Sequence, residues 1–354
     1  DTERAERAAD AFTRRWPNDA QRDRVMFFGA MAAMADERFA DAAARFSTVV
    51  ESAPESPLAG QATLLAAQCH QRAGALNEAA RWYRQIIDEA QDALLPDALY
   101  GLGAILHAEG QDDAAAELLD AFIRSNSDDP RVADAALRRA QIWFRQGRYD
   151  RASTLLDRAA DAENADEGAI AYWQAKIALR TGDAGQAATI LANAIDAEPN
   201  HALAPEMQYD LSVALQRAGA HEQALESLTA FQQRFNEHEL QSGSLALQAS
   251  LAHELEDFDT CIAACKAFLE SNSQSAQTPA IRFLLAETLF LSDDLEASDA
   301  ALGDYLDDHA DLPDATRARF RLGVIASTAT VPASVVVPAV SVLFLVRGVV
   351  LFVV

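Results

Sequence analysis

Small residues recur along this chain at a near-constant interval. Ala42, Ala79, Ala115, Ala152, Ala187, Ala224, Cys261 and Ser298 are separated by 37, 36, 37, 35, 37, 37 and 37 positions. Four residues beyond each stands a larger one: Phe46, Tyr83, Leu119, Leu156, Leu191, Leu228, Cys265 and Leu302. Three further on come Val49, Ile86, Phe122, Ala159, Ala194, Phe231, Phe268 and Tyr305. Offsets of four and then three share one face of an α-helix, so each interval contains a helix with a small-large-apolar stripe. A period of this length marks a stacked repeat, in which no unit buries its apolar face alone.

A second helix precedes the first in every interval. Its small column is Ala30, Ala67, Gly103, Ala140, Ala175, Ser212, Ala249, Ala286 and Gly323. Three residues earlier runs a bulkier column, Phe27, Leu64, Tyr100, Leu137, Tyr172, Tyr209, Ala246, Phe283 and Phe320. Between the two helices lie Gly74, Gly110, Gly147, Gly182-Asp183, Gly219, Glu256-Asp257 and Asp293-Asp294, residues suited to a helix end and the following N-cap. Units are joined by Pro54-Glu55-Ser56-Pro57, Asp129-Pro130, Pro199-Asn200 and Leu312-Pro313, where proline can start a helix without breaking one. The expected fold is an all-α, right-handed α-solenoid of stacked helix-turn-helix repeats. It should hold about eight full units, with partial units at both ends.

Composition narrows the function. Hydrophobic residues make up 50% of the chain but aromatic ones only 7%, which suits closely packed helices. The net charge of −25, from 54 acids and 29 bases of which only Lys176 and Lys266 are lysines, repels phosphate backbones and argues against nucleic acid. Basic or apolar protein surfaces fit the overall charge, which also serves solubility. Three cysteines, Cys69, Cys261 and Cys265, are too few for a disulfide framework.

The columns resemble the tetratricopeptide repeat. Gly147-Arg148-Tyr149-Asp150-Arg151-Ala152, closing on Leu156, is similar to that family's glycine-aromatic-alanine core, and Ala194 to Pro199 to its closing segment. The period is two or three residues longer than the family norm of about 34. Units such as the one around Ala42 resemble longer-period repeats of bacterial envelope proteins of the barrel-assembly and Tol-Pal systems. The resemblance covers residues 1–327 and implies a scaffold that holds a peptide or protein in a groove. It does not extend to the subclass that clamps a C-terminal carboxylate, since Lys176 is followed one turn later by Arg180 rather than by an asparagine.

The ends behave differently. Ala5, Ala9, Phe12 and Pro17 fit the second-helix columns, so the chain is expected to begin in the second helix of a truncated unit. Phe320 and Gly323 fit the first-helix columns, but the segment 328–354 is apolar and rich in valine, with Pro332 and Pro338 where a partner helix is due. Three readings stay open for it: a membrane segment through 329–354, sequence not native to the chain, or a buried strand.

The search for chemistry is negative. No phosphate-binding loop, metal spacing or catalytic set is present, and no cofactor, metal or small-molecule substrate is expected. His70, His107 and His253 fall on different units, and Cys261 and Cys265 fall in packing columns. One pattern suggests binding. Five residues after the first-helix small column come Arg72, Arg145, Arg180 and Arg217. In related arrays this edge faces the concave groove, where a line of arginines could grip a carboxylate-rich segment. The alternative is that they are helix-end bases opposing the dipole. The expected function is a non-catalytic protein-binding scaffold, with a bacterial envelope setting favoured over the cytoplasm. An accessory region of a larger protein or enzyme is the runner-up.

Overall fold

The computed structural model describes residues 2–272 and 274–329. They form eighteen helices, all in the order set by the repeat. Helix α1 (Thr2–Arg15) stands first as a second-type helix. Eight hairpins follow: α2 (Arg22–Ala35) with α3 (Phe39–Ser52), α4 (Ala59–Arg72) with α5 (Leu76–Asp88), α6 (Leu95–Ala108) with α7 (Asp112–Ser125), and α8 (Val132–Arg145) with α9 (Tyr149–Ala160). The series continues with α10 (Glu167–Thr181) and α11 (Ala184–Ala197), α12 (Ala204–Arg217) and α13 (His221–Arg234), α14 (Gln241–Glu254) and α15 (Phe258–Ser271), and α16 (Thr278–Leu291) and α17 (Leu295–His309). Helix α18 (Ala315–Ala329) is a first-type helix. The apolar tail lies outside the described residues from position 330 onward. Among the described residues no helix is long and apolar enough to cross a membrane.

The columns read from the sequence form the core. All eight residues from Ala42 to Ser298 in the second-helix small column are fully buried. Helices meet there with almost no side chain between them, and the large column fills the remaining space: Phe46, Leu119, Leu156, Leu191, Leu228, Cys265 and Leu302 are all fully enclosed. The first-helix column behaves alike from Ala30 to Ala286, with Ser212 hydrogen-bonded to Gln208 and Ser227. At α18 the pattern stops being buried: Gly323 is exposed and Phe320 is 59% accessible.

The described residues divide into two compact units, one up to Ile190 and one from Leu191. In the first, one apolar cluster runs from Phe27 on α2 to Ile142 on α8. In the second, smaller clusters form around Leu228, Phe268 and Tyr305. Within each unit the first helices approach one another, α4 to α6, α6 to α8 and α8 to α10 in the first and α14 to α16 in the second, more closely than successive second helices do. That asymmetry curves each stack toward its first helices, making their side the inner one.

The hairpin turns need a left-handed residue. Gly74, Gly110, Gly147, Gly182 and Gly219 occupy it with φ between 72° and 92°, and at none of them would a Cβ meet an atom within 4 Å. Conformation, not space, therefore selects glycine there. Glu37, Glu256 and Asp293 hold the same place with φ of 58°, 57° and 69°. An L-residue pays roughly 1–2 kcal/mol for that geometry, against the roughly 0.5–1 kcal/mol of extra chain entropy that glycine loses on folding. Glu256→Gly should therefore stabilise the protein by about 0.5–1 kcal/mol. Gly147→Glu should destabilise it by about 1–2 kcal/mol. Urea titration followed by circular dichroism measures both, and a loss of stability in Glu256→Gly would contradict the turn assignment.

Proline and aspartate mark several helix starts. Pro96, Pro205 and Pro279 occupy first-turn positions of α6, α12 and α16. Asp166, Asp257 and Asp294 cap α10, α15 and α17 by accepting from the backbone N–H groups of Ala169, Thr260 and Ala297.

Candidate functional site

The four arginines singled out by spacing all lie in the last turn of a first helix, α4, α8, α10 or α12. There each opposes the helix dipole, as any base in that turn would. Their surroundings differ. Arg72 is exposed and its guanidinium lies 5.2 Å from the centre of the Phe39 ring. Arg145 is engaged within the fold: Nε donates to Asp112 Oδ2 at 2.9 Å and Nη2 to Oδ1, joining α8 to the start of α7. This ion pair holds the Asp112 carboxyl below its ordinary range. Arg180 is exposed, 6.0 Å over the Phe144 ring. Arg217 is exposed at the end of α12 in the second unit. Between Arg72 and Arg145 the corresponding residue is Ala108, so the line is interrupted in the first unit.

The inner stripe is continuous in another respect. Three residues one or four places after the first-helix small column, Phe144, His253 and Glu287, reach the next first helix. Phe144 meets Trp173 edge to face with ring centres 5.3 Å apart, His253 Nδ1 lies 2.9 Å from Thr288 Oγ1, and Arg321 Nε donates to Glu287 at 2.8 Å. On α6 and α8 this side carries a closed polar network. Tyr100 donates to Asp134 at 2.8 Å and Arg138 donates to the same carboxylate at 2.6 Å. Arg131 bridges Asp97 and Asp129. Burial, then the nearby Arg145 and Arg138 charges, push His107 down to about 4, so its imidazole is neutral at neutral pH.

On α8 and α10 the stripe opens. Phe144 and Trp173 are half-buried, Tyr172 packs edge to face on Trp173 at 5.8 Å, and Lys176 Nζ lies 5.3 Å from the Tyr172 ring centre. From Gly168 to Gly182 there is no acidic residue. Sequence reasoning picked out Arg180, weighed Lys176 only against the carboxylate-clamp subclass, and passed over Phe144 and Trp173. The signal was present, since Trp173, Lys176 and Arg180 are spaced by three and four on one helical face.

Among the described residues no group of three His, Cys, Asp or Glu side chains could bind an ion. Cys261 and Cys265 are free and fully enclosed. The hydrogen bond they share draws Cys261 down and, with burial, pushes Cys265 up, but neither sulfur reaches solvent. They act as small core residues.

Comparison with known proteins agrees with this architecture. The tetratricopeptide repeat profile matches residues 29–94, 113–169 and 172–238, more than half of the chain. No curated protein matches the chain by sequence. A tetratricopeptide repeat protein from Parabacteroides merdae has a similar structure, with a TM-score of 0.54 at 14% identity over 76% of this chain and 100% of that one. The type IV pilus biogenesis factor PilW aligns with a TM-score of 0.52 at 17% identity, over 64% of this chain and 100% of its own. PilF of Pseudomonas aeruginosa aligns at 0.50 and 18% identity, over 62% and 94% respectively. The profile match, the eight hairpins and the buried small columns together place the chain in the tetratricopeptide repeat family.

Proposed function

We propose that this chain is a non-catalytic scaffold that holds a segment of another protein along the inner, first-helix side of its repeats. The observation that carries this reading is the character of that side. In the first unit the last two turns of every first helix hold no acid and include the exposed Arg72 and Arg180 and the half-buried Phe144, on a chain of net charge −25. Tetratricopeptide arrays are protein-interaction folds, and the similarity to PilF and PilW favours a bacterial envelope assembly as the setting. Arg72 and Arg180 of the first unit and, separately, Arg217 of the second are the recognition residues proposed for carboxylate groups of the partner; Arg145 could join them only by giving up its pairing with Asp112. Each exposed contact is worth only about 0–1 kcal/mol, so they act on partner choice and arrival rate more than on raw affinity.

Photo-crosslinking groups placed at Gln68 and Ala108 on the inner side, and at Glu117 and Asp157 on second helices, test the reading. One partner should be captured from the inner positions and not from the outer ones. Replacing Arg72 and Arg180, both exposed, by Ala should then weaken that partner's binding by about tenfold and flatten its salt dependence, with helicity unchanged. Capture only from the second-helix positions would refute the inner-side scaffold.

A further inference from the structure

Four departures from the repeat fall in one hairpin, α8–α9. One place before the first-helix small column the other seven hairpins carry glycine, alanine, leucine or glutamine, whereas α8 carries Arg139. Three places after that column they carry alanine, leucine or histidine, whereas α8 carries Trp143. One place before and six places after the second-helix small column no other hairpin has a base, whereas α9 has Arg151 and Arg158. From Val132 to Ala160 this hairpin holds six arginines and three aspartates, which makes it the most positive of the eight on a chain of net charge −25.

The four side chains meet in the fold. Trp143, half-buried, lines an open cleft of about 360 Å³ together with Asp150, Arg151, Thr154, Leu155 and Arg158. The last four are spaced by three, one and three along one face of α9. Arg151 and Arg158 are exposed, and neither is paired with an acid among the described residues. The Arg139 guanidinium lies 4.1 Å from the centre of the Trp143 ring. Arg139 is 8% exposed, and its Nε donates to Asp120 at 2.9 Å. Its Nη1 and the Trp143 Nε1 are shielded from water with no acceptor among the described residues. Unanswered buried donors are costly, and no packing contact of the repeat requires them.

We infer that this cleft is a binding site for a small phosphate monoester with an aromatic body. It is separate from the inner-side scaffold and stands without it. Trp143 gives a flat wall with Leu155 beside it. The cation stacked on the ring draws electron density from it, so the ring favours an electron-rich or anionic neighbour. Arg151 and Arg158 stand two turns apart, about 10 Å along the helix. One carboxylate is served by one guanidinium fork, whereas the three outer oxygens of a dianionic phosphate can accept from both. A small turn of the half-buried indole, ordinary for a side chain on binding, brings Nε1 to the same group. Asp150 is the one acid on the lining, and it sits in the first turn of α9, where the helix dipole favours it.

Calorimetry on the whole chain tests the inference with phenyl phosphate, benzoate, inorganic phosphate and phenol. Phenyl phosphate should bind at least about tenfold more tightly than each of the others and weaken at high salt. It should also weaken below about pH 6, where a phosphate monoester loses its second charge. The indole N–H resonance of Trp143, assigned by its loss in Trp143→Phe, should shift on binding. Arg151→Gln and Arg158→Gln should each weaken phenyl phosphate by about tenfold. Arg84→Gln on α5, the same charge change at another exposed arginine, should have little effect. Both cleft arginines are exposed, so their variants keep the test decisive should Trp143→Phe fold poorly.

Benzoate binding as tightly as phenyl phosphate, equal losses for Arg84→Gln and Arg151→Gln, or no response to phenyl phosphate at low salt overturns the inference. Much tighter binding of a tyrosine-phosphorylated peptide than of phenyl phosphate would overturn the small ligand in favour of a protein one. Crosslinking that maps a partner to Gln68 and Ala108 bears on the scaffold alone.

Discussion

Ala152→Trp should be among the most damaging single changes in the first unit, costing about 3 kcal/mol, the upper end for overpacked cores. Ala152 is fully buried on α9, where that helix packs against α8 and α10. The tightness of such seams is visible at Gly103, where an added Cβ would lie 3.1 Å from Leu119, and at Gly29, where it would lie 2.9 Å from Ala9. If a methyl group is scarcely accommodated at equivalent contacts, an indole must push the helices apart. Because repeats contact only their neighbours, the damage should spread through α8–α10 before the rest melts. Urea unfolding should show a lower midpoint and a broader or split transition, and hydrogen exchange should accelerate first in α8, α9 and α10. Ala152→Gly, which creates no clash, should cost only about 1 kcal/mol. A midpoint in Ala152→Trp equal to that of the parent would mean that the small column is not a helix contact.

The second large effect is expected in the second unit. Glu287 on α16 is 5% exposed and accepts from Arg321 Nε at 2.8 Å and Nη2 at 3.1 Å, and from Arg317 Nη2 at 3.4 Å. Arg321 is itself largely buried and stacks 4.4 Å over Phe290. Removing one partner from a buried pair leaves an uncompensated charge in a poorly solvated place, at a cost of about 3–5 kcal/mol. Arg321→Leu should therefore release α18 from α16, seen as rapid hydrogen exchange in α18 and a low-urea pre-transition. Arg317 is mostly exposed and cannot replace the lost bidentate contact. Adding Glu287→Met to Arg321→Leu should recover most of the loss, since burying the ion pair itself contributes little net stability. If Arg321→Leu alone is neutral, Glu287 is solvated and the contact is ornamental.

These predictions differ in how far the sequence could have suggested them. The small column at Ala152 is legible because every unit repeats it, and its helical spacing says which face packs. Glu287 gives no such warning. It sits among apolar neighbours as a single charge that reads as a solvated helix residue. Its burial follows from Arg317 and Arg321, which lie 30 and 34 positions away on α18. Arg145 is a similar case: spacing offered it to a ligand, yet its guanidinium is held by Asp112, 33 residues earlier. Phe144 and Trp173 become one aromatic surface only because α8 and α10 lie side by side on the inner curve.

Residue order alone thus determined the helices, their pairing into eight hairpins, the turns and the buried columns. All of these follow from contacts inside a unit or from an identical contact repeated between units, so a period of about 37 residues records them directly. Tertiary structure decided which charges are neutralised within the fold, as Arg145 is by Asp112 and Glu287 by Arg321. That outcome depends on the rise and curvature from one hairpin to the next, which bring together non-repeating side chains about one period apart, and no periodicity encodes those individual pairs.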